Sequence, residues 1–327
     1  MRIAVTGSIA IDHLMSFPGK FSEQLIADQL QSVSLSFLVD RLEIRRGGVA
    51  GNITYGMGSL GLRPVLVGAV GDDFDDYRSW LERHGVDTTA VRISTLHHTA
   101  RFLCTTDQDL NQIASFYTGA MQEAREIELG PIASRLGGLD LVLVSPNDPD
   151  AMLRHTDECR ERGLPFVSDP SQQMARMDGP AIKRLVDGAA YLFTNAYESS
   201  LIEQKTGWSA DDILDRVGTR ITTLGSKGAR VDRKGEPSVQ VPCAPERTKG
   251  DPTGVGDAFR AGYLAGVSWR LSAERSAQIG NLVAAMALET MEPQGYAIER
   301  DAFLERLSGA YGREAADEVA PHLSTAH

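Results

Sequence analysis

The chain has 327 residues, 42% of them apolar, and a formal net charge of −11. That length holds one large α/β domain, or one with a small appendage, and the apolar share supports a sizeable core. The acidic balance argues against nonspecific binding to nucleic acid or anionic membranes, and no apolar run reaches the ~18 residues of a membrane span.

Cys104, Cys159 and Cys243 are scattered and in no metal-like spacing, which fits a reducing, cytoplasmic setting. The opening Met1–Ala10 is too short for a signal peptide before Asp12 and His13 break it. Within it, Ile3–Val5 reads as a buried strand ending at Gly7–Ser8, with Asp12 beyond, where a strand end opens into a cleft. From Phe21 to Arg46 the pattern predicts strands at Leu35–Val39 and Leu42–Ile44 without intervening helices. Gly47–Asn52 is a glycine loop, followed by a helical stretch to Leu60.

Pro64–Val70 predicts a strand and Phe74–His84 a helix, opened by Asp72, Asp73, Asp75 and Asp76. Those acids read as charge favoured by a helix start rather than as a metal site. Arg101–Thr105 and Gln112–Tyr117 resemble a β-hairpin. Strands at Leu139–Ser145, Pro165–Ser168, Tyr191–Thr194 and Arg220–Leu224 then alternate with helices, the rhythm of a mostly parallel sheet covered on both faces. A last helix is expected over Ile298–Gly312, with Ser324–His327 fraying. The expected organisation is a large α/β domain (1–12, 47–97 and 120–327) and a β-sheet lid (13–46 and 98–119). The lid would stand over the strand ends, where such folds bind ligands.

Several short motifs bear on chemistry. Gly56–Gly61 matches G-x-G-x-x-G but ends a helix instead of opening one, so Gly61 reads as a C-terminal cap and not as a dinucleotide fingerprint. No Walker loop or G-x-S-x-G elbow is present, and His97–His98 reads as a solvated turn. In Gly47–Asn52, adjacent glycines let a small ligand approach the backbone, and Asn52 offers both donor and acceptor. Asn195 and Glu198, three apart at a helix start, would either cap the helix or hold Mg²⁺ through water. Thr222–Gly228 runs from a strand into a glycine turn able to receive phosphate, or is an ordinary hairpin turn.

The stretch that organises the rest is Lys249–Phe259. Gly254 and Gly256 precede a helix patterned by Ala261, Tyr263, Leu264 and Val267, so unpaired amides and the positive dipole end make a seat for an anion. Asp257 lies at the same mouth. A plain helix cap is the competing reading. The anion-seat reading suits phosphoryl transfer, with Asp257 taking a proton from an attacking hydroxyl.

Taken together, Gly47–Asn52 and Asp251–Asp257 resemble the two signatures of the ribokinase-type carbohydrate kinases. The likeness runs over essentially the whole chain. Val33–Asp40, Ala114–Tyr117, Asp169–Gln173 and Asp251–Asp257 resemble, more narrowly, the adenosine kinases of actinobacteria. The resemblance implies an α/β fold, a ribokinase-like three-layer α/β/α sandwich with a small β lid, and ATP-dependent phosphorylation of the adenosine 5′-hydroxyl. It implies Asp257 as base, and Gly254, Val255 and Gly256 as anion hole. Ser8, Asp12, Gly48, Asn52, Phe102, Phe116, Gln172 and Gln173 would hold the nucleoside. Asn195, Thr223, Gly225 and Gly228 would hold ATP, with Glu198 reaching Mg²⁺ indirectly. K⁺ is an open addition. A homodimer through the lid, with Phe37 crossing over, is also implied. Pro252, Val255 and Met291–Gly295 depart from the wider family's pattern. The alternatives are a ribose or other sugar kinase of the same fold, and an inactive nucleoside-binding regulatory protein.

Overall fold

In the computed structural model, which describes residues 1–24 and 35–323, the strands form two sheets. In chain order they are β1 (Ile3–Thr6), β2 (Ala10–Ser16), β3 (Arg41–Gly47), β4 (Val65–Val70), β5 (Val91–Ile93), β6 (Ala100–Thr106) and β7 (Gln112–Tyr117). There follow β8 (Leu141–Val144), β9 (Phe166–Ser168), β10 (Tyr191–Asn195), β11 (Thr219–Thr223), β12 (Ala229–Asp232) and β13 (Val239–Val241). The large sheet has the order β13-β12-β11-β10-β9-β8-β1-β4-β5, and the small one β3-β2-β6-β7. From β11 to β5 the pairings are parallel; the β11-β12-β13 edge is antiparallel.

The apolar runs of the parallel strands are continuous because both faces are buried. Ile3 and Val5 of β1 join one core while Ala4 joins the other; Leu141 and Leu143 of β8 oppose Val142 and Val144 in the same way. One face carries the helices Val49–Ser59, Asp75–Arg83, Val255–Ser268 and Ala273–Leu288. The other carries Pro149–Glu161, Gly179–Val186 and Ala196–Thr206. The expected α/β/α sandwich with a small β sheet is therefore what folds.

The first core helix ends as its sequence implies. Gly61, at φ +86°, donates to Gly58 O, and Leu62 donates to Met57 O, at 2.8 and 3.1 Å. This paired closure is a Schellman motif and needs the left-handed glycine. The acids at the start of the next helix also act locally: Asp75 and Asp76 occupy the first turn of the helix Asp75–Arg83. Asp72, Asp73 and His98 do come together, yet Asp73 is already committed to Thr99 and Arg101.

Two expectations change. The strand over Leu35–Val39 does not form: residues 35–40 are irregular, and ladder pairing with β2 begins at Arg41. Phe37 instead packs on Phe17 and Phe21, with ring centroids 5.1 and 4.9 Å away, so aromatic packing wins over strand propensity. Val33–Ser34 and the fraying expected at Ser324–His327 lie outside the described residues. The chain also enters the small sheet at Ala10, directly after β1, so Asp12 sits within a strand rather than beyond one.

Candidate active site

The helix Val255–Ser268 opens at Gly254, which caps it in the left-handed conformation at φ +80°. Among the described residues, the N–H groups of Gly254, Gly256 and Asp257 have no hydrogen-bond partner, while Val255 N–H donates weakly to Pro252 O at 3.3 Å. The mouth of this helix is thus lined with free donors at the positive end of its dipole. It forms a wall between two cavities. Gly254 and Asp257 face one, and Val255 and Gly256 face the other.

The first cavity, of about 500 Å³, brings together Ser8, Asp12, Gly48, Asn52, Phe102, Phe116, Gln172 and Gln173 with Asp257. Its roof is the small sheet. Register places Arg45, Asp12, Phe102 and Phe116 in one transverse row, one residue from each of β3, β2, β6 and β7. Strand side chains alternate, so a transverse row shares a face. The row is charged at one end and aromatic at the other. Gly47 and Gly48 lie beneath it, and Gly48 is obligatory. A Cβ on Gly47 would lie 2.8 Å from an Asp12 carboxylate oxygen, and Gly48, at φ +87°, would press one against the backbone of Ser8–Ala10. Ser8 Oγ accepts from Val49 N–H at 3.0 Å, and Gln173 Nε2 donates to Asn147 O at 2.7 Å. Ser171, before the glutamines, has a strained φ of +43°.

The second cavity, of about 370 Å³, is lined by Thr223, Gly225, Gly228, Val255 and Gly256, with Phe259, Ala284, Ala285 and Leu288 as its apolar wall. A neighbouring recess of about 380 Å³ joins Thr223 and Gly225 to Asn195, while Glu198 lines none of these spaces. Asn195 and Glu198 form a reciprocal capping box, each side chain accepting the other's backbone N–H at 2.8 Å. Glu198 also accepts from Ser171 Oγ at 3.2 Å. Gly225 sits in a short turn joining the antiparallel β11 and β12, so the stretch is a hairpin whose turn also borders the cavity.

Two cavities meeting at a helix mouth, at the carboxyl ends of β1, β8, β9, β10 and β11, are the geometry of a group transfer between two bound molecules. Comparison with known proteins agrees. The family model of the pfkB family carbohydrate kinases matches residues 7–299. The chain belongs to that family. This kinase is similar to the nucleoside kinase of Burkholderia thailandensis: the ligand-free structure is 34% identical, covering 93% of this chain and 99% of that one, with a TM-score of 0.84. The same protein in complex with inosine is 33% identical, over 95% and 97% of the two chains, with a TM-score of 0.83. The nucleoside kinase of Methanocaldococcus jannaschii is 26% identical over 94% of this chain and 96% of its own.

Within the kinase, Asp257 is half-buried at the cavity floor, and desolvation raises its pKa to about 6; Arg260 and the Asn52 amide pull it down. Asn52 Nδ2 donates to Asp257 Oδ2 at 2.8 Å. Burial likewise lifts Asp12 to about 6, opposed by Arg45. Arg45 is itself buried and bonds Asp251 Oδ2 at 3.0 Å, tying the roof to the loop that carries the helix mouth. Sequence reading missed Arg45, and with it Thr118, Met121 and Arg176 in the cavity lining. It also missed Tyr77, Trp80 and Gln294, which form a buried polar cluster behind Asn52. The alternation of Arg41, Glu43 and Arg45 along β3 is the one signal that marks Arg45 as facing the roof side.

Proposed function

We propose that this kinase phosphorylates nucleosides, adenosine foremost, at the 5′-hydroxyl with ATP, giving AMP and ADP in purine salvage. The observation that carries the reading is the transverse row of the roof. Asp12, with Gly48 and Asn52 below, suits ribose hydroxyls, whereas Phe102 and Phe116 offer π-faces to a base. A bare sugar would leave the aromatic end empty. The likeness to nucleoside kinases supports the same choice.

In this reading Asn52 occupies one oxygen of Asp257 and leaves the other for the 5′-hydroxyl. Asp257 orients that hydroxyl and takes its proton, and a carboxylate with a pKa near 6 is ionised yet basic enough at neutral pH. The amides of Gly254, Gly256 and Asp257 face the transferred phosphoryl and stabilise its equatorial oxygens in a loose transition state. ATP would lie along Thr223, Gly225 and Gly228. Mg²⁺ fits as an outer-sphere guest of Asn195 and Glu198, since both carboxylate oxygens of Glu198 already have protein donors. When bound, it neutralises phosphate charge.

We also propose a homodimer through the lid. The face of the small sheet opposite the transverse row exposes Leu42, Ile44, Ile113 and Tyr117, and a second copy would cover it. Phe37 packs within its own chain here, so its crossing is a separate question for the sizing experiment. Light scattering of the purified protein distinguishes dimer from monomer.

The activity test is ADP release from ATP–Mg²⁺ with adenosine, inosine, guanosine, ribose and fructose in parallel. Adenosine turnover well above the sugars supports the proposal. Inosine is the second reading, because a 33% identical relative binds it. Turnover with a sugar alone keeps the kinase and removes the base-binding role of Phe102 and Phe116. No turnover with any acceptor points to a regulatory binding protein.

A further inference from the structure

The segment Met291–Gly295, which departs from the family pattern, places Gln294 at the centre of a buried hydrogen-bond chain. Gln294 is 3% exposed and joins three groups. Its Oε1 accepts from Trp80 Nε1 at 3.0 Å. Its Nε2 donates to Asn52 Oδ1 at 3.0 Å and to Tyr77 OH at 2.5 Å. Tyr77 OH in turn donates to Gly47 O at 2.9 Å, and Asn52 Nδ2 donates to Asp257 Oδ2.

The direction of every bond follows from its two ends. An indole N–H only donates, and a carboxylate or carbonyl only accepts. Trp80 therefore forces Gln294 to present its oxygen, which turns the Gln294 amide nitrogen toward Asn52. Asn52 must then present its oxygen to Gln294 and its nitrogen to Asp257. The second branch runs the same way through Tyr77 to Gly47, whose carbonyl precedes the Gly48 clamp. Were Asn52 reversed, two acceptors would face each other at Asp257 and two donors at Gln294. A buried chain fully paired in one sense resists that reversal, because each flip strands polar groups without partners.

We propose that Gln294, oriented by Trp80, is a positioning residue that fixes the Asn52 amide so that it donates to Asp257 and favours the ionised base. The inference rests on Asp257 being the base of the proposed reaction. The other groups around Asp257 are fixed in kind. Arg260 lies one turn on along the same helix and is paired with Asp169 after β9. Tyr77 and Tyr296 stand behind it, and Asp12 and Arg176 line the same cavity. None of these is covalently altered by changing Gln294 or Trp80.

The test is the pH dependence of kcat and KM in the full-length protein for Gln294→Met and Trp80→Phe, using whichever acceptor the wild type turns over. Gln294→Met keeps bulk and loses both the donor and the acceptor. Trp80→Phe keeps an aromatic ring and loses the N–H that starts the chain, together with part of the indole's bulk. Both should move the acid limb of kcat upward, Gln294→Met by about one pH unit and Trp80→Phe by less, lowering kcat several-fold near pH 6 while KM changes little. Converging on wild-type kcat above pH 8 would support the inference. An unmoved acid limb in both variants, with only a lower Tm, would overturn it and leave Gln294 as packing. If Gln294→Met does not fold, Trp80→Phe alone decides by the same criterion. Asp257→Asn run in parallel separates the two failures: near-normal turnover there removes the base itself, whatever Gln294 does.

Discussion

The two cavities on either side of the Val255–Ser268 helix mouth are built from different materials. The cavity proposed for the acceptor is surrounded by committed side chains: Asn52 on Asp257, Gln173 on Asn147 O, Arg45 on Asp251, and the Gln294 cluster behind them. The cavity proposed for ATP has Thr223, Ser226, Glu246 and Lys249 on its turn and loop, but its far wall is alanine and apolar side chains, with the Asn281 amide nitrogen bonded to Val241 O and Pro242 O. A wall of oriented polar groups discriminates strongly, because a wrong partner leaves them unpaired. A smooth wall holds by contact and tolerates change. Selectivity in this kinase should therefore reside on the acceptor side.

The largest break in the comparison is Asp257→Asn. Removing the proposed base should lower kcat by about 10²–10⁴-fold while leaving acceptor KM nearly unchanged, read in steady-state kinetics. Phe116→Ala is next. Stacking on an aromatic side chain is worth about 1–3 kcal/mol per base, so kcat/KM for adenosine should fall roughly five- to 150-fold. Activity on ribose, measured alongside, should not fall. Equal losses on both substrates would make Phe116 a roof-packing residue.

Smaller, and reversible, is the effect of pH. As the proposed base, Asp257 must be ionised to act, so kcat should fall as pH drops below about 6, by about tenfold per unit at the steepest. Stability moves the other way in this window. The raised pKa values of Asp12 and Asp257 mean that the native state binds protons more readily than the unfolded one between about pH 6 and 4. Their contribution is fully present below the unfolded pKa and is lost as pH rises through about 6. Carboxylates held low by partners, such as Asp73 at about 2 beside Thr99 and Arg101, lose stability only at lower pH. Activity at pH 5 should thus fall about tenfold with Tm retained, measured by calorimetry on the same samples.

What the sequence revealed follows the range of the interaction. Gly47–Gly48, Gly254 and the Asn195–Glu198 capping box are set by neighbours in the chain, and local spacing exposed them. Phe102 and Phe116 came with the family resemblance, and the β6–β7 pairing is what sets them side by side on the roof. Gln294 and Asn52 are 242 residues apart, and Asn52 and Asp257 are 205 apart, so no local pattern joins them. Arg45 meets Asp251 across 206 residues and reads in sequence as one more strand charge. Leu35–Val39 failed for a related reason. Its apolar run has strand propensity, but Phe37 found Phe17 and Phe21 before it found a ladder.

The mildest test is a change of donor nucleotide. The donor cavity places Phe259, Ala284, Ala285 and Leu288 where a flat ring would lie, and these distinguish rings by shape alone. Of the polar lining, Thr223 and Ser226 belong to the glycine turn and Glu246 and Lys249 to the loop before the helix mouth, while Cys243 Sγ donates to Gly225 O at 3.2 Å and the Asn281 amide nitrogen holds the end of β13. A base read by one hydrogen bond or fewer gives about 1.4 kcal/mol, or tenfold, of discrimination at most. GTP and other purine triphosphates should therefore support turnover within about tenfold of ATP in kcat/KM, measured at fixed Mg²⁺ and saturating acceptor. A hundredfold preference for ATP would mean that a polar group rotates into the cavity when the nucleotide binds, and the contrast between the two walls would then belong to the unliganded form alone.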